Sequence, residues 1–483
     1  MKLQKRTILF VTPEIVPFKA TGGLADVAEA LPEALIEAGQ NAIRVMPKYA
    51  GIEDKFDIKK QFSFIVETGK KANVAEVYKF EQNGLITFFI GNHNYFERDN
   101  CYGYEDDGER FGFFCKAVVE MLMFLDIKPD IIHLNDWQSA FIGLLLKEEY
   151  YELDFYKNIK LVFTIHNLQY QGVFDMHTLD NLNLSAKYFN PEKIEYYGKV
   201  CFMKAGIVYS DMVTTVSETY AKEIQTPIYG YGLDGLLRRY SYKISGILNG
   251  IYYSKYDPSI DSALYVNFSE DNFRENRKEN KRLMQKELGL PEKDVPMFGV
   301  VTRFAEQKGI DLIIYAMKAI LFEDVQFVIL GSGEEEYERK LLSLESKYSD
   351  QVKINIQFNQ DLARRIYGTC DFFLMPSLFE PCGLSQLYSL RYGSIPIVRE
   401  TGGLLDTILD YDKDKDKGIG FSFKNFNGED FLSAIYRCLS TYEDRDEWNK
   451  LVERAMKTRF SWSKAAESYI EKYEALLADN SNV

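Results

Sequence analysis

Residues 7–38 read TILFVTPEIVPFKATGGLADVAEALPEALIEA and join a short apolar run, a glycine turn and a long amphipathic segment. The run 7–12 has the length of a buried strand, and residues 24–38 have the apolar spacing of a helix. The same alternation continues at 131–134, 140–149 and 161–165, and restarts at 297–302, 311–321, 325–330, 334–347, 372–375, 384–392 and 395–398. Strands that alternate with helices predict parallel sheets with crossover helices. The expected fold class is therefore α/β, in two separate domains.

The segment 251–294 lies between these two series of elements. It is polar and charged, and it follows the turn signal Asn249-Gly250. We therefore expect a first domain over residues 1–250 and a second over residues 251–459. Near the end of the chain, apolar positions 466, 469, 470, 473 and 476 are spaced as on one face of a helix.

The overall composition excludes several classes of protein. Of 483 residues, 46% are hydrophobic and 27% charged, which is typical of a folded globular protein. There are 58 basic and 72 acidic side chains, a net charge of −14, and no dense run of lysine or arginine. This balance argues against a nucleic-acid or anionic-membrane partner. The apolar run 8–11 is too short for a signal peptide, and no stretch is long enough to predict a membrane span.

Cysteine and histidine usage points to a reducing compartment and away from metal chemistry. The six cysteines form no C-x-x-C pair and are too sparse for a disulfide framework, so we expect a cytoplasmic protein. The four histidines, at positions 93, 133, 166 and 177, show no zinc-site spacing. We therefore expect no metal.

A six-residue pattern occurs once in each predicted domain. Residues 21–26 read TGGLAD and residues 401–406 read TGGLLD, each after a strand-like run and before an amphipathic segment. Paired glycines at such a turn let backbone amides approach a ligand and direct a helix N-terminus at it, which suits a phosphate. The alternative is that both are ordinary glycine turns.

Several longer motifs carry a family resemblance. They are, in chain order, HLNDW (133–137), TIHNLQYQG (164–172), YGYGLDG (229–235), GILNGI (246–251), RFAEQKG (303–309), EPCGLSQLY (380–388) and SW (461–462). In these blocks the chain resembles bacterial glycogen synthases and plant starch synthases over nearly its whole length.

The resemblance implies a GT-B architecture, in which two Rossmann-like domains with parallel sheets face each other across a deep cleft. It also implies that a helix over residues 460–483 returns to the first domain. The implied reaction transfers glucose from ADP-glucose to the non-reducing 4-hydroxyl of an α-1,4-glucan such as glycogen, with retention of the α configuration. The implied partners are these two substrates, with neither a metal nor pyridoxal phosphate as cofactor.

The same resemblance assigns the candidate catalytic residues. Arg303 and Lys308 would hold the diphosphate, and Glu380 would lie against the donor glucose. His166 would contact the sugar near C6, with its main-chain carbonyl facing the anomeric carbon, and Asp136 would lie on the acceptor side. The positive charges of Arg303 and Lys308 are needed because negative charge grows on the departing diphosphate.

The donor-binding residues implied by the resemblance are Lys19, Gly22, Gly23, Asn249, Phe358, Cys382, Gly383, Leu384, Ser385, Tyr388, Thr401, Gly402 and Gly403. Phe358 stands where relatives often have a tyrosine that stacks on adenine, and Ser385 where threonine is common. Tyr388 stands where related retaining transferases have a second glutamate. Without a pair of carboxylates, front-face transfer is expected rather than a covalent glucosyl intermediate.

One position departs from the family pattern. The usual block reads K-T-G-G-L, whereas this chain has Lys19 and then Ala20 before Thr21, so the lysine has moved by one residue. We expect activity to depend less on Lys19 than on Lys308. The alternatives are another retaining GT-B transferase using UDP-glucose or a different acceptor, a glucan-binding protein without catalysis, and a phosphorylase, which would need a pyridoxal phosphate lysine.

Overall fold

The computed structural model describes residues 4–69 and 71–478. The chain forms two compact units. Unit 1 comprises Met1–Leu248 together with Trp462–Val483, and unit 2 comprises Asn249–Ser461. The α/β fold class expected from the alternating pattern is confirmed in both units, since each contains a largely or wholly parallel sheet with helices between its strands.

Over its described residues, unit 1 contains twelve strands. They are β1 Thr7–Val11, β2 Asn41–Pro47, β3 Lys59–Thr68, β4 Lys71–Gln82, β5 Leu85–Gly91, β6 Ile131–Asn135, β7 Lys160–Ile165, β8 Val173–Phe174, β9 Glu195–Tyr196, β10 Lys199–Cys201, β11 Met212–Thr215 and β12 Ile244–Gly246. Nine of them form one sheet in the order β12-β11-β7-β6-β1-β2-β5-β4-β3, and the other three form a small sheet in the order β8-β10-β9.

The large sheet is parallel except at one edge, where β4 runs antiparallel to β5 and to β3. From β1 the chain adds β2 and β5 on one side, and then returns to add β6 and β7 on the other. The carboxyl ends of β1 and β6 therefore lie side by side where the strand order reverses, and ligands of open α/β sheets bind at such a point. The registers Val11↔Leu134 and Asn135↔Thr164 bring the ends of β1, β6 and β7 to one level.

The helices of unit 1 are α1 Gly23–Glu37, α2 Ile52–Lys55, α3 His93–Phe96, α4 Asp107–Phe124, α5 Trp137–Leu144, α6 His177–Asn181, α7 Phe202–Tyr209, α8 Glu218–Glu223 and α9 Asp234–Arg239. A π-helical segment, Leu145–Glu149, follows α5 directly, and 3-10 turns occur at Ala186–Tyr188 and Ser241–Lys243.

Unit 2 contains a six-stranded parallel sheet. Its strands are β13 Met297–Val301, β14 Gln326–Gly331, β15 Val352–Ile356, β16 Phe372–Met375, β17 Ile395–Arg399 and β18 Phe421–Phe423, in the order β15-β14-β13-β16-β17-β18. This is the doubly wound order of a Rossmann fold, with its reversal between β13 and β16. A ligand site is therefore expected at the carboxyl ends of these two strands.

The helices of unit 2 are α10 Phe273–Leu288, α11 Ile310–Ile320, α12 Glu335–Lys347, α13 Gln360–Thr369, α14 Ser385–Arg391, α15 Gly402–Thr407, α16 Gly428–Glu443 and α17 Arg445–Lys457, with a 3-10 turn at Glu306–Lys308. The strands and helices predicted between 297 and 398 are confirmed within one or two residues. The chain leaves unit 1 between Leu248 and Asn249, and helix α10 lies inside the polar segment 251–294.

The last helix, α18, spans Trp462–Ala478 and belongs to unit 1. It packs on α1, and its Tyr473 hydroxyl lies 2.7 Å from Nδ1 of the buried His133. Arg6 forms two hydrogen bonds to the Glu474 carboxylate, at 3.0 and 3.1 Å. Residues 479–483 of the expected helix lie outside the described residues. Over the described residues, no helix is long and apolar enough to cross a membrane.

Candidate functional site

In unit 2, a pocket lies at the carboxyl ends of β13 and β16. Val301 and Thr302 line it from one strand end, and Leu374 and Met375 from the other. The rest of its wall comes from connecting loops and the start of α14, namely Lys308, Ser377, Glu380, Gly383, Leu384 and Ser385. The pocket thus occupies the place where the strand order reverses, as expected for a Rossmann-type domain.

An ion pair between Lys308 and Glu380 forms one side of this pocket. Lys308 Nζ lies 2.6 Å from Glu380 Oε2, and the Ser377 hydroxyl donates to the same oxygen at 3.1 Å. Glu380 is buried and Lys308 half-buried. Removing one partner of a buried pair leaves an uncompensated charge and typically costs about 3–5 kcal/mol. The structure thus brings together two of the residues expected to act on the donor.

The second glycine pair, Gly402 and Gly403, packs closely against the backbone of the Glu380 loop. The Gly403 N–H donates to the Glu380 carbonyl at 3.1 Å. A Cβ on Gly402 would lie 2.0 Å from that same carbonyl oxygen, and one on Gly403 would lie 2.2 Å from the Cys382 carbonyl oxygen. Gly402 also has φ +44°, which favours glycine. The Gly403 N–H therefore has a partner within the protein, and the assignment of Gly402 and Gly403 to the donor diphosphate stays a prediction.

Arg303 lies on the same connection as Lys308, one residue after the pocket-lining Thr302. Its side chain is exposed, and it forms no ion pair with any residue in the described part of the chain. Gln307 lies between Arg303 and Lys308 in sequence and forms two hydrogen bonds to the segment before Glu380. The Gln307 side-chain amide donates to the Phe379 carbonyl at 3.2 Å, and the Gln307 carbonyl accepts from the Leu378 N–H at 2.8 Å. The β13–α11 loop and the Glu380 loop are therefore held together.

Residues 382–388 form the turn into α14 and its first turns. The Gln386 side-chain amide donates to the carbonyls of Cys382 and Gly383 at 3.0 and 3.1 Å, which fixes the turn. Cys382 is buried, and Ser385 Oγ lies 3.2 Å from the Tyr367 hydroxyl. Tyr388 stacks on Tyr256, with ring centroids 3.9 Å apart, so it packs within the domain.

Two other predicted donor residues of unit 2 have distinctive environments. Phe358 lies two residues after the end of β15 and is 87% exposed, although it is a large aromatic residue. Asn249 is buried, and its side-chain oxygen has no hydrogen-bond partner among the described residues. A buried polar atom without a partner is costly and calls for an explanation such as a ligand.

In unit 1, three polar side chains meet where β1, β6 and β7 end. The His166 N–H donates to Asp136 Oδ1 at 2.8 Å, and the Asp136 N–H donates to the Thr164 carbonyl at 3.0 Å. Asp136 has φ +53° and ψ 178°, a strained conformation outside the left-handed helical region. Glu14, which follows β1, accepts from the N–H and the hydroxyl of Thr21 at 2.5 and 2.8 Å.

Burial shifts the pKa values of Glu14, Asp136 and His166 and so sets their protonation. Burial raises the pKa of the Glu14 carboxyl to about 7, although the hydrogen bonds from Thr21 oppose the rise. Burial also raises the pKa of Asp136 to about 7; the backbone amides of His166 and Asn167 oppose this, and nearby Glu14 adds to it. Burial lowers the pKa of His166 to about 3, so its imidazole is neutral at pH 7.

The tautomer of His166 follows from its neighbours. Asn135 donates both hydrogens of its side-chain amide to the carbonyls of Val11 and His133, at 3.1 and 3.3 Å. Its Oδ1 can therefore only accept, and it lies 2.9 Å from His166 Nε2. Nε2 must carry the proton, which leaves Nδ1 as a hydrogen-bond acceptor.

The first glycine pair lies in a more open loop. Thr21, Gly22 and Gly23 are exposed, and a Cβ on Gly22 would meet no atom within 4 Å. Lys19 is half-buried, and its N–H donates to the Ile15 carbonyl at 3.0 Å. Burial raises the pKa of the Cys101 thiol to about 11, and the Lys19 ammonium opposes that rise, which places it near Cys101.

Sequence reasoning missed several members of both sites. Glu14, Asn135 and Ser377 were not among the predicted residues, although each orients a predicted residue or loop. For Glu14 a signal existed, because a carboxylate directly after the first strand of a parallel sheet lies at its ligand-binding edge. Asn135 and Ser377 act through contacts that no local pattern marks.

Comparison with known proteins shows which family the chain belongs to. Residues 7–239 match the family model described as the starch synthase catalytic domain, and residues 280–454 match that of glycosyl transferases group 1. The chain is 48% identical over 474 residues to a glycogen synthase of Clostridioides difficile (strain 630), which covers 96% of this chain and 98% of that one. It is 46% identical over 474 residues to a glycogen synthase of Bacillus anthracis, with coverage of 97% and 99%.

A solved structure is also similar over nearly the full length. It is the catalytic domain of starch synthase IV from Arabidopsis thaliana bound to ADP and acarbose, with a TM-score of 0.92, 33% identity, and coverage of 98% of this chain and 100% of that one. The two α/β domains with parallel sheets are therefore of the GT-B type found in that protein. From its sequence and its fold, the chain belongs to the family of glycogen synthases and starch synthases.

Proposed function

We propose that this protein is a retaining glucosyltransferase that moves glucose from ADP-glucose to the non-reducing 4-hydroxyl of an α-1,4-glucan, and so elongates glycogen. The observation that carries the proposal is the Lys308–Glu380 pair in a pocket where the strand order of unit 2 reverses. The family relationship supports the same reaction, since the similar proteins are glycogen and starch synthases.

The donor would bind through unit 2. Lys308 and the exposed Arg303 would hold the diphosphate, and Glu380 would contact the glucose hydroxyls. Charge-assisted hydrogen bonds of this kind contribute about 1.5–3 kcal/mol each. The exposed ring of Phe358 provides a face on which adenine can stack, and the unpartnered Asn249 oxygen would gain a partner from the donor. A family member whose structure has ADP bound supports a nucleotide-sugar donor.

The acceptor would bind through unit 1. His166 presents an unprotonated Nδ1, which can accept a hydrogen bond from a sugar hydroxyl near C6. Asp136 holds the backbone of His166, so that its position sets that of the imidazole. Gly22 and Gly23 in the open loop, with Lys19 before them, would approach the diphosphate.

The proposed glucosyl transfer requires few protein side chains. The bond from C1 to the diphosphate oxygen breaks, and a bond from C1 to the acceptor O4 forms on the same face of the sugar. The proton of the 4-hydroxyl passes to the departing diphosphate oxygen, so no protein base is required. Lys308 and Arg303 stabilise the negative charge that grows on this leaving group. A metal has no step in this scheme.

We further propose a cytoplasmic location. Its support is that all six cysteines are buried free thiols, as expected in a reducing compartment.

Incubation with labelled ADP-glucose and glycogen tests the proposal. The purified protein should incorporate label into glycogen, and Glu380→Ala should lower the rate about a hundred- to a thousandfold. Glu335→Ala removes an exposed glutamate of the same unit, so it should keep nearly the parental rate.

Two results would contradict the proposal. The first is a parental protein that incorporates no glucose, which favours a glucan-binding protein without catalysis. The second is a preference for labelled UDP-glucose in direct competition, which would move the chain to another donor specificity.

A further inference from the structure

Strand β3, Lys59–Thr68, forms one edge of the nine-stranded sheet of unit 1. Over the described residues, β3 pairs with β4 on one side and with no strand on the other. With ten residues it is much longer than β12, the three-residue strand at the opposite edge of the sheet. A long free edge presents a row of unpaired N–H and C=O groups, which can pair with another chain.

Both faces of this edge carry exposed apolar side chains. On one face, Ile65 is 61% exposed, and Val74, which lies opposite it on β4, is also exposed. On the other face, Phe62 and Phe64 are half-buried, and their ring centroids lie 5.7 and 4.8 Å from that of Phe124, the exposed last residue of α4. An exposed apolar patch of this kind is typical of a protein–protein interface.

The first residues of β3 carry the features that usually protect a sheet edge. Lys59 and Lys60 are charged and exposed, and the register with β4 shifts at Gln61, which has no partner in that ladder. Charges and bulges at an edge oppose pairing with another chain. Residues 62–66 carry no charge and pair regularly with β4, so this part of the edge is open to a partner.

The sequence of β3 is complementary to itself in the antiparallel direction. When two copies are paired about Phe64, with Gln61 left unpaired as in the β3–β4 ladder, the two Phe64 residues face each other. No two like charges face each other in the remaining pairs, which are Phe62 with Val66, Ser63 with Ile65, Lys60 with Glu67, and Lys59 with Thr68. Aromatic and oppositely charged residues that face each other across two strands stabilise the pairing.

The charges at the two ends of this segment select the register. Lys60 lies at one end, where its ammonium also forms an ion pair with Glu76 of β4, and the exposed Glu67 lies at the other end. Symmetric registers about Ser63 or Ile65 would separate Lys60 from Glu67. Parallel pairing in register would place each lysine against the same lysine of the other copy, which is destabilising.

We propose that β3 is a dimerisation edge, at which two copies of this chain pair antiparallel about Phe64 and join their nine-stranded sheets into one. Such a two-fold contact uses the same patch on both copies and closes after two subunits. The proposal is independent of the proposed function, because three strands separate β3 from β1, the strand that Glu14 follows. Loss of the dimer should therefore leave glucosyl transfer unchanged.

Sedimentation velocity of the full chain over a concentration series tests the dimer. We expect a dissociation constant on the order of 10 µM, since one strand edge and a small aromatic patch form an interface at the small end of the usual range. Phe64→Lys places two ammonium groups opposite each other and should weaken dimerisation at least about tenfold. Phe322→Lys is the matched control and should dimerise as the parent does, because Phe322 is a 77% exposed aromatic residue of unit 2.

Cysteine cross-linking tests the register. In the proposed dimer, the Cα atoms of the two Phe64 residues lie about 4.5–5.5 Å apart, within the range of a disulfide. Phe64→Cys should therefore form a covalent dimer under mild oxidation. Ser63→Cys should not, since its two Cα atoms would lie about 8 Å apart. All six native cysteines are buried, so the parent should give no cross-link.

The thermal midpoint and the rate of glucose incorporation distinguish loss of the interface from a folding defect. Both should stay near the parental values in Phe64→Lys, and if the midpoint falls, the cross-linking variants decide the question. The dimer is overturned if the parent sediments as a monomer at about 100 µM, tenfold above the expected dissociation constant, or if Phe64→Lys dimerises as tightly as Phe322→Lys. Cross-linking of Ser63→Cys in place of Phe64→Cys would overturn the register. The proposed function is decided separately, by glucose incorporation in the parent.

Discussion

The two units use the same short sequence, Thr-Gly-Gly-Leu, in opposite ways. In unit 1, residues 21–23 are exposed, and a Cβ on Gly22 would meet open space. In unit 2, residues 401–403 are buried, and a Cβ on Gly402 would collide with the Glu380 carbonyl. In the first segment the Thr21 hydroxyl donates to the Glu14 carboxylate, whereas in the second the Gly403 N–H donates to the Glu380 carbonyl. A shared local pattern therefore predicts a turn, while the surrounding chain decides whether the turn faces a ligand or a neighbouring loop.

The largest expected difference between the two regions concerns their lysines. Lys308→Ala should lower kcat/KM for ADP-glucose about a hundredfold or more, because it removes a cation aimed at the leaving group and leaves Glu380 without its partner. Lys19→Ala should cost less than about tenfold, since Lys19 is displaced by one residue from the family position. Steady-state kinetics of both variants measure the contrast. Equal losses would show that the open loop of unit 1 contributes as much as the Lys308–Glu380 pair.

The next difference concerns the glycines. Gly402→Ala should destabilise the protein by about 1–3 kcal/mol and lower activity, because the new methyl group must displace the Glu380 carbonyl. Gly22→Ala should change stability by less than about 0.5 kcal/mol, since its φ of −164° suits any residue. Urea midpoints, read together with initial rates, check both variants. If Gly22→Ala were the more damaging, the open loop would be the one that depends on close packing.

The last expected effect is a pH dependence in unit 1. The Glu14 pKa is about 7 in the folded protein, whereas an unperturbed glutamate has a pKa of about 4.3. Between these values the folded state binds more protons than the unfolded state, so the free energy of unfolding falls as pH rises, by up to about 1.4 kcal/mol per pH unit. Glu14→Gln should remove this part of the slope between pH 4 and 7, as followed by denaturant titration. The exposed Glu37→Gln should keep the parental slope.

Much of each sheet was predictable because its signal is local. The apolar runs before Thr12, before Asp136 and before Thr302 mark buried strands, and a parallel sheet brings their carboxyl ends to one edge. That argument places Asp136 and Lys308 at the ligand-binding edges of the two units. The motifs of the family resemblance added Glu380, which no periodicity marks.

The remaining features depend on contacts between residues far apart in sequence. Helix α10 was not among the predicted elements because its sequence is mostly charged, yet the buried Arg277 donates to the Cys370 carbonyl at 2.7 Å. The positive φ angles of Tyr197 and Tyr231, +48° and +46°, were equally hidden, since tyrosine has no local preference for positive φ. Bonds such as that from Gln171 to Tyr231 span 60 residues and exist only in the folded unit.

The position of α18 affects when unit 1 can complete its folding during synthesis. Its Tyr473 completes the surroundings of His133 beside β1 and β7, and its Glu474 binds Arg6 at the other end of the chain. The ribosome synthesises α18 after all of unit 2. Until then, the apolar face of α1 on which α18 packs stays uncovered in the nascent first unit. Chimaeras that exchange the first unit between relatives should therefore carry residues 462–478 from the same parent.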